Sequence, residues 1–178
     1  MKKVILTIAF TAIALLTASQ NHNSFLGLPL NTNLEAFSQS LVNKGYTLKS
    51  SNANEAVFAG EFSGMSDVVV TVMATAKSST VFYVKVTKKG TDPNLKKLYK
   101  SLYEGFAHDT PKENCASRNF NFGGYDYDAE VHSFNLFANK QSPVYDKTSY
   151  FYFCNDDEQQ IIVEFIDIPN KELAEKEK

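Results

Sequence analysis

The chain has 178 residues, 18 basic and 20 acidic side chains, and a net charge of −2. That length suits one domain or two tightly joined halves, and the mildly acidic balance excludes a general electrostatic pull toward nucleic acid or anionic membrane. A charged fraction of 21% beside 43% hydrophobic residues excludes wholesale disorder.

Lys2 and Lys3 lead into the apolar run Val4–Leu16, followed by Thr17-Ala18-Ser19. A charged start, an apolar centre and small residues before a cut are the plan of a secretory signal peptide. The apolar run, about 13 residues, falls short of the roughly 20 that a membrane-spanning helix needs. Residues 1–19 are therefore expected to be a leader, cut between Ser19 and Gln20, with no Cys nearby to carry a lipid anchor. The expected address is the periplasm or the exterior. Losing Lys2 and Lys3 leaves 16 basic against 20 acidic side chains. No later apolar run approaches spanning length, so no membrane span is expected in the mature chain.

Residues 20–24 are expected to be a flexible remnant of the leader. Phe25–Leu30 is apolar and extended, because Pro29 can neither continue a helix nor donate to a ladder. A helix should follow, opened by a capping box of Thr32 and Glu35. Leu34, Phe37, Leu41 and Val42 make its apolar face, and Gly45 supplies the position that ends it. Ala56–Phe62, Asp67–Ala76 and Thr80–Lys88 alternate as strands. Val68, Val70, Val72 and Ala74 share one face, and Val69, Thr71, Met73 and Thr75 the other. In the third strand Phe82, Val84 and Val86 are set against Val81, Tyr83 and Lys85.

The pattern then restarts. Asp92 and Pro93 suit the cap and first position of a second helix. Leu95, Leu98, Tyr99, Leu102 and Phe106 give it the clearest helical stripe in the chain. Asn119–Asp126, Glu130–Ala138, Ser149–Cys154 and Gln160–Ile168 are the later strands. Asn170–Lys178 reads as a charged tail. The expectation is an α+β fold of two tandem units, each a helix plus an antiparallel meander, with both helices on one face of an antiparallel sheet. Residues 25–169 would form a single domain with halves of about 25–90 and 91–169, opened by NLEAF at 33–37 and NLKKL at 94–98.

Two stretches carry a resemblance. Phe25-Leu26-Gly27-Leu28-Pro29-Leu30, followed by a helix ending Lys44-Gly45-Tyr46, resembles the F-x-G-I-P opening of a group of small exported proteins of Gram-negative anaerobes. Leu98-Tyr99-Lys100-Ser101-Leu102-Tyr103, leading to Pro111 and Cys115, is similar to that group's Y-x-x-L helix, although His108-Asp109-Thr110 stands where the group has Lys-Tyr-Gly. The element order also looks like the tandem αβββ arrangement of the β-lactamase inhibitor protein fold. These resemblances imply a fold and an exported address, and they transfer no active site.

Cys115 and Cys154 are the two cysteines, and an oxidising compartment favours a disulfide between them. The alternatives are two unpaired thiols, or a nucleophilic Cys115 assisted by His132. The residues around Cys115 carry no local signature of such an enzyme. His22 falls in the leader remnant, and His108 with Asp109 could begin a metal site or proton relay. His132 shares a strand face with Phe134 and Leu136 and reads as a core-edge imidazole. Asp156-Asp157-Glu158 lacks the alternating ligands and interior Gly of a calcium loop. Asp126 and Asp128 share one side of a strand, nearer together than a glycosidase pair prefers. No catalytic, cofactor or metal constellation is expected, and none of the chemistry points to an enzyme.

Two surface features remain. Lys96, Lys97 and Lys100 form a basic stripe on the second helix. Tyr125 and Tyr127, with Tyr150 and Tyr152, are candidate interface residues, since Tyr is favoured where one end of a ring is buried and the other wet. Alternation sets Tyr150 and Tyr152 opposite Phe151 and Phe153. The function expected is an exported, non-enzymatic binding module for another protein, inhibitor-like or envelope-associated. A glycan-binding module using the surface Tyr residues is the alternative, and a small hydrolase on Cys115 or His108/Asp109 comes third.

Overall fold

Short turns chosen by the sequence lay out the first half. The computed structural model describes residues 22–90, 94–108, 115–121, 128–134, 147–154 and 159–177. Strands β1 (Ser24–Phe25) and β2 (Leu28–Pro29) form a tight hairpin, with Leu26 and Gly27 both at positive φ. That backbone matches the two-residue turn whose twist suits a hairpin, with Gly at the second position. Phe25, beside this turn, is completely buried, stacked 5.5 Å from Phe62 and tilted by 57° against Phe165 at 5.3 Å. Residues 22–24, expected to be a loose remnant, are instead tied into the fold.

Helix α1 (Leu34–Asn43) is capped by Asn33, whose Oδ1 accepts the Glu35 N–H at 3.0 Å. The cap therefore sits one residue beyond the expected Thr32, whose hydroxyl donates to the Pro29 carbonyl instead. Gly45 ends the helix as expected, at φ +95, with Tyr46 N–H bonded to Leu41 O and Gly45 N–H to Val42 O. Leu34, Phe37 and Leu41 are its buried face.

Four strands follow: β3 (Thr47–Ser51), β4 (Glu55–Phe62), β5 (Met65–Ala74) and β6 (Val81–Lys89). Helix α2 (Leu95–His108) opens the second half, followed by β7 (Cys115–Asn121), β8 (Asp128–Phe134), β9 (Lys147–Cys154) and β10 (Gln160–Asp167). Helix α3 (Ile168–Lys176) is capped by Asp167 and has Pro near its start. It replaces the expected charged tail.

All eight strands from β3 onward make one antiparallel sheet in the order β3-β4-β5-β6-β10-β9-β8-β7. The fold is α+β, as expected, with each half contributing a helix and a four-stranded meander. The last strand of each meander meets its counterpart at the centre, where Val86 pairs with Val163. The additional first-half strand, β3, lies at the sheet edge and is exposed along its length.

One row of directly paired residues crosses the sheet through Phe58, Val70, Val86, Val163 and Phe151. The first four of these join the buried faces of α1 and α2 in a single core cluster. Both helices therefore cover the same side. A register shift between Met73 and Ala74 brings Val81 into the core beside Ala74. Val81, Val84 and Val86 are buried, so the expected split of Phe82 from Val81 is corrected by that bulge.

The register also overturns the expected disulfide. Cys115 pairs with Phe134, which pairs with Ser149, whereas Cys154 pairs with Ala129. The two cysteines lie on strands two apart and at opposite ends of the shared ladder. At roughly 4.8 Å per strand and about 3.3 Å per residue, their Cα atoms stand far beyond the approximately 7 Å that a disulfide can bridge.

Candidate binding surface

The face of the sheet opposite α1 and α2 is built by the alternate residues of each strand. One row runs Ala59–Val69–Thr87–Ile162–Tyr152–Val131, and the next runs Val57–Thr71–Lys85–Glu164–Tyr150–Ser133. A third contains Met73, Tyr83 and Ile166. Val69 is 45% exposed and Met73 38%, while Val57, Ala59, Thr71 and Ile162 are half-buried. An apolar sheet surface normally belongs against another layer, and here large apolar side chains stay wet. Tyr83 donates its hydroxyl to Glu164 Oε1 at 2.5 Å, and Lys85 and Glu164 pair across the strands. The face is thus mixed, with Val69 and Met73 exposed among Thr71, Thr87, Lys85 and Glu164, and Ile166 buried.

Tyr150 and Tyr152 pair in register with Glu164 and Ile162. Phe151 pairs with buried Val163, and Phe153 is itself buried and pairs with buried Ile161. Tyr125 and Tyr127 lie outside the described residues. Asp109, Asp126, Asp156, Asp157 and Glu158 lie outside them as well. His108 is exposed at the end of α2. His132 sits in β8, paired with Phe151 and Ser117, at a register position on the helix-covered side. Among the described residues no cluster of three His, Cys, Asp or Glu could hold a metal ion.

The lysine stripe is on the solvent side of α2. Lys96, Lys97 and Lys100 are exposed, above buried Leu95, Tyr99 and Leu102. Lys96 Nζ lies 5.8 Å from the centre of the Phe153 ring, within range of a cation–π contact. Lys100 stands 3.8 Å from Glu104 one turn on, an exposed pair that contributes little.

A third site was invisible in the sequence. The Asp167 side chain is fully buried and receives the His22 Nδ1 at 3.0 Å, the Asn23 N–H at 2.9 Å and the Asn170 N–H at 3.2 Å. Burial pushes the Asp167 carboxyl up, opposed by the backbone donors of Asn23 and Asn170 and by the His22 imidazole. A carboxylate orienting an imidazole is half of a proton-relay arrangement. The sequence signal was faint, because 144 residues separate Asn23 from Asp167 and only the fold brings them together.

The chain matches no family model, no curated protein and no solved structure. No helix among the described residues is long and apolar enough to cross a membrane. Its chemistry is therefore read from its own surfaces.

Proposed function

We propose that this chain is an exported, non-enzymatic binding module that holds a protein partner against the open face of its sheet. The observation that carries the reading is exposed Val69 and Met73 on one strand, Val69 paired with half-buried Ala59, and half-buried Val57 and Ile162 on strands of the same face. Large apolar side chains left in water on a sheet face, where a second layer would ordinarily cover them, suit a surface that is covered by a partner. Its breadth across several strands, with Tyr positions in the same rows, suits the flat surface of another protein better than a small molecule. The resemblance in element order to the β-lactamase inhibitor protein fold supports an inhibitor-like or envelope-associated role, and the leader-like start supports export.

A capture experiment tests it. The mature protein and the Val69→Glu/Met73→Glu variant are each immobilised and exposed to envelope and secreted fractions of the source cells, after circular dichroism shows equal folding. A partner retained by the first and lost by the second is the expected result. Equal retention by both, or turnover of a substrate by the purified protein, would overturn the proposal.

A further inference from the structure

A cut between Ser19 and Gln20 would make Gln20-Asn21-His22 the first three residues of the mature chain, opening on a free amine. Gln20 and Asn21 lie outside the described residues, and their part is read from the sequence. His22 is the first described residue. Its side chain is 22% exposed, and its Nδ1 stands 3.0 Å from Asp167 Oδ2 and 3.2 Å from Oδ1. Asn23 anchors the next step of the chain: its N–H donates to Asp167, its side-chain amide donates to the Ile166 carbonyl, and its own carbonyl accepts the Leu30 N–H. That anchor lies just past the third residue of the mature chain, and none of its bonds uses an atom of residues 20–22.

We infer that this terminus is a copper(II) site formed by the Gln20 amine, the main-chain nitrogens of Asn21 and His22, and His22 Nδ1. A histidine at the third position is what closes the set. From the amine through the two amide nitrogens the chain makes two five-membered chelate rings. From the His22 amide nitrogen through Cβ to Nδ1 it makes one six-membered ring, a closure that Nε2 on the far side of the imidazole cannot reach. Four nitrogens in a plane are the tetragonal arrangement that copper(II) and nickel(II) favour, and copper(II) stands highest in the affinity order. A main-chain amine ordinarily loses its proton near pH about 8, and imidazole binds metals as the neutral ring. Both amide protons leave to solvent as the metal takes their nitrogens, so the two amide anions balance the charge of the ion, which stays copper(II) throughout. The donors are main-chain groups and a single imidazole, so no cluster of acidic or sulfur side chains is needed. His22 Nδ1 is the shared atom, because it cannot hold the metal and Asp167 together. Loading therefore lifts the imidazole off the carboxylate, while the Asn23 and Asn170 N–H groups stay on it and keep α3 capped. The inference rests on the export reading and is independent of the sheet face.

The test starts from protein exported by cells that make the full chain, with its terminus read by intact mass spectrometry and amino-terminal sequencing. Copper(II) chloride is then titrated in against glycine as a competing chelator, followed by the visible ligand-field band and electron paramagnetic resonance. The expected result is a free Gln20 amine, one copper(II) per chain and the spectrum of a tetragonal four-nitrogen site. His22→Ala should weaken binding by about a hundredfold or more. Adding one Ala before Gln20 keeps every side chain and moves the histidine to the fourth position, and it should weaken binding as much. Asp167→Asn removes the competing charge and should tighten binding several-fold. If Asp167→Asn fails to fold by circular dichroism, the other two variants still decide it. Copper affinity that the added Ala leaves unmoved would overturn the inference. A terminus elsewhere, or a Gln20 amine closed into a lactam, would overturn it while leaving the exported binding module standing. A retained leader would overturn both.

Discussion

The imidazole of His22 and the carboxylate of Asp167 meet at 3.0 Å, joining the start of the described chain to the cap of its last helix. Two backbone N–H groups, from Asn23 and Asn170, converge on the same carboxylate. Removing it should leave those donors unsatisfied and uncap α3. Asp167→Ala is expected to lose about 2 kcal/mol, combining a lost cap with buried unpaired donors. Denaturant unfolding followed by circular dichroism measures this. A loss below a few tenths of a kcal/mol would mean that the tie contributes nothing.

The pH dependence of the same carboxyl has a definite sign. Burial raises its folded-state pKa above the unfolded value. Such a group adds stability that is fully present below the unfolded pKa and is lost as pH rises through the folded pKa. The difference in unfolding free energy between the native chain and Asp167→Asn should therefore favour the native chain most at about pH 3. It should shrink as the pH rises from about 4 toward neutrality. A difference that grows over that window would contradict the assignment.

Gly60 is fixed by a neighbour. A Cβ there would lie 2.5 Å from Tyr46 Cδ1 and 2.7 Å from Cε1, and the Tyr46 hydroxyl donates to Glu61 O at 2.5 Å. The ring lies against the strand where a side chain would otherwise stand, so it cannot step aside without breaking that bond. Gly60→Ala is expected to cost about 1–3 kcal/mol, as overpacking does. Tyr46→Phe should cost about 1 kcal/mol for the lost hydrogen bond. Thermal melts of both variants check the pair.

Phe25 has no exposed surface and contacts Phe62 and Phe165, residues from opposite halves. Phe25→Ala should cost about 3–5 kcal/mol, as large truncations in a core do. A surface-like loss of under 1 kcal/mol would show the first hairpin to be detachable.

Thiol titration addresses the cysteines. With Cys115 and Cys154 separated by the ladder, the unreduced protein should yield two reactive thiols once unfolded. None would require a different register in β7 to β9.

Regular burial was legible in the sequence, and irregular pairing was not. The stripe of Leu34, Phe37 and Leu41 and the alternation from Val68 to Ala74 both reported their faces, because one side of each element must leave water, whereas Val42, expected on the same helical face, is 42% exposed. Strand β3 was missed because Thr47–Ser51 is exposed throughout and shows no alternation to detect. The face of Val81 was misread because a bulge adds one residue to the count. Local composition suggested a charged tail or a frayed helical turn at Asn170–Lys178; the full helix Ile168–Lys176 starts from the Asp167 cap, whose partners are distant in sequence.

The seam between β6 and β10 has a consequence for biogenesis. Val86 must find Val163, with nearly half of the chain between them. While the protein is being made, the earlier four-stranded unit has a bare inner border awaiting a mate. Distant pairing slows maturation and invites stray partners. Severed between the two units, the separate pieces should find each other and reconstitute the whole, because each alone carries the border that the other completes.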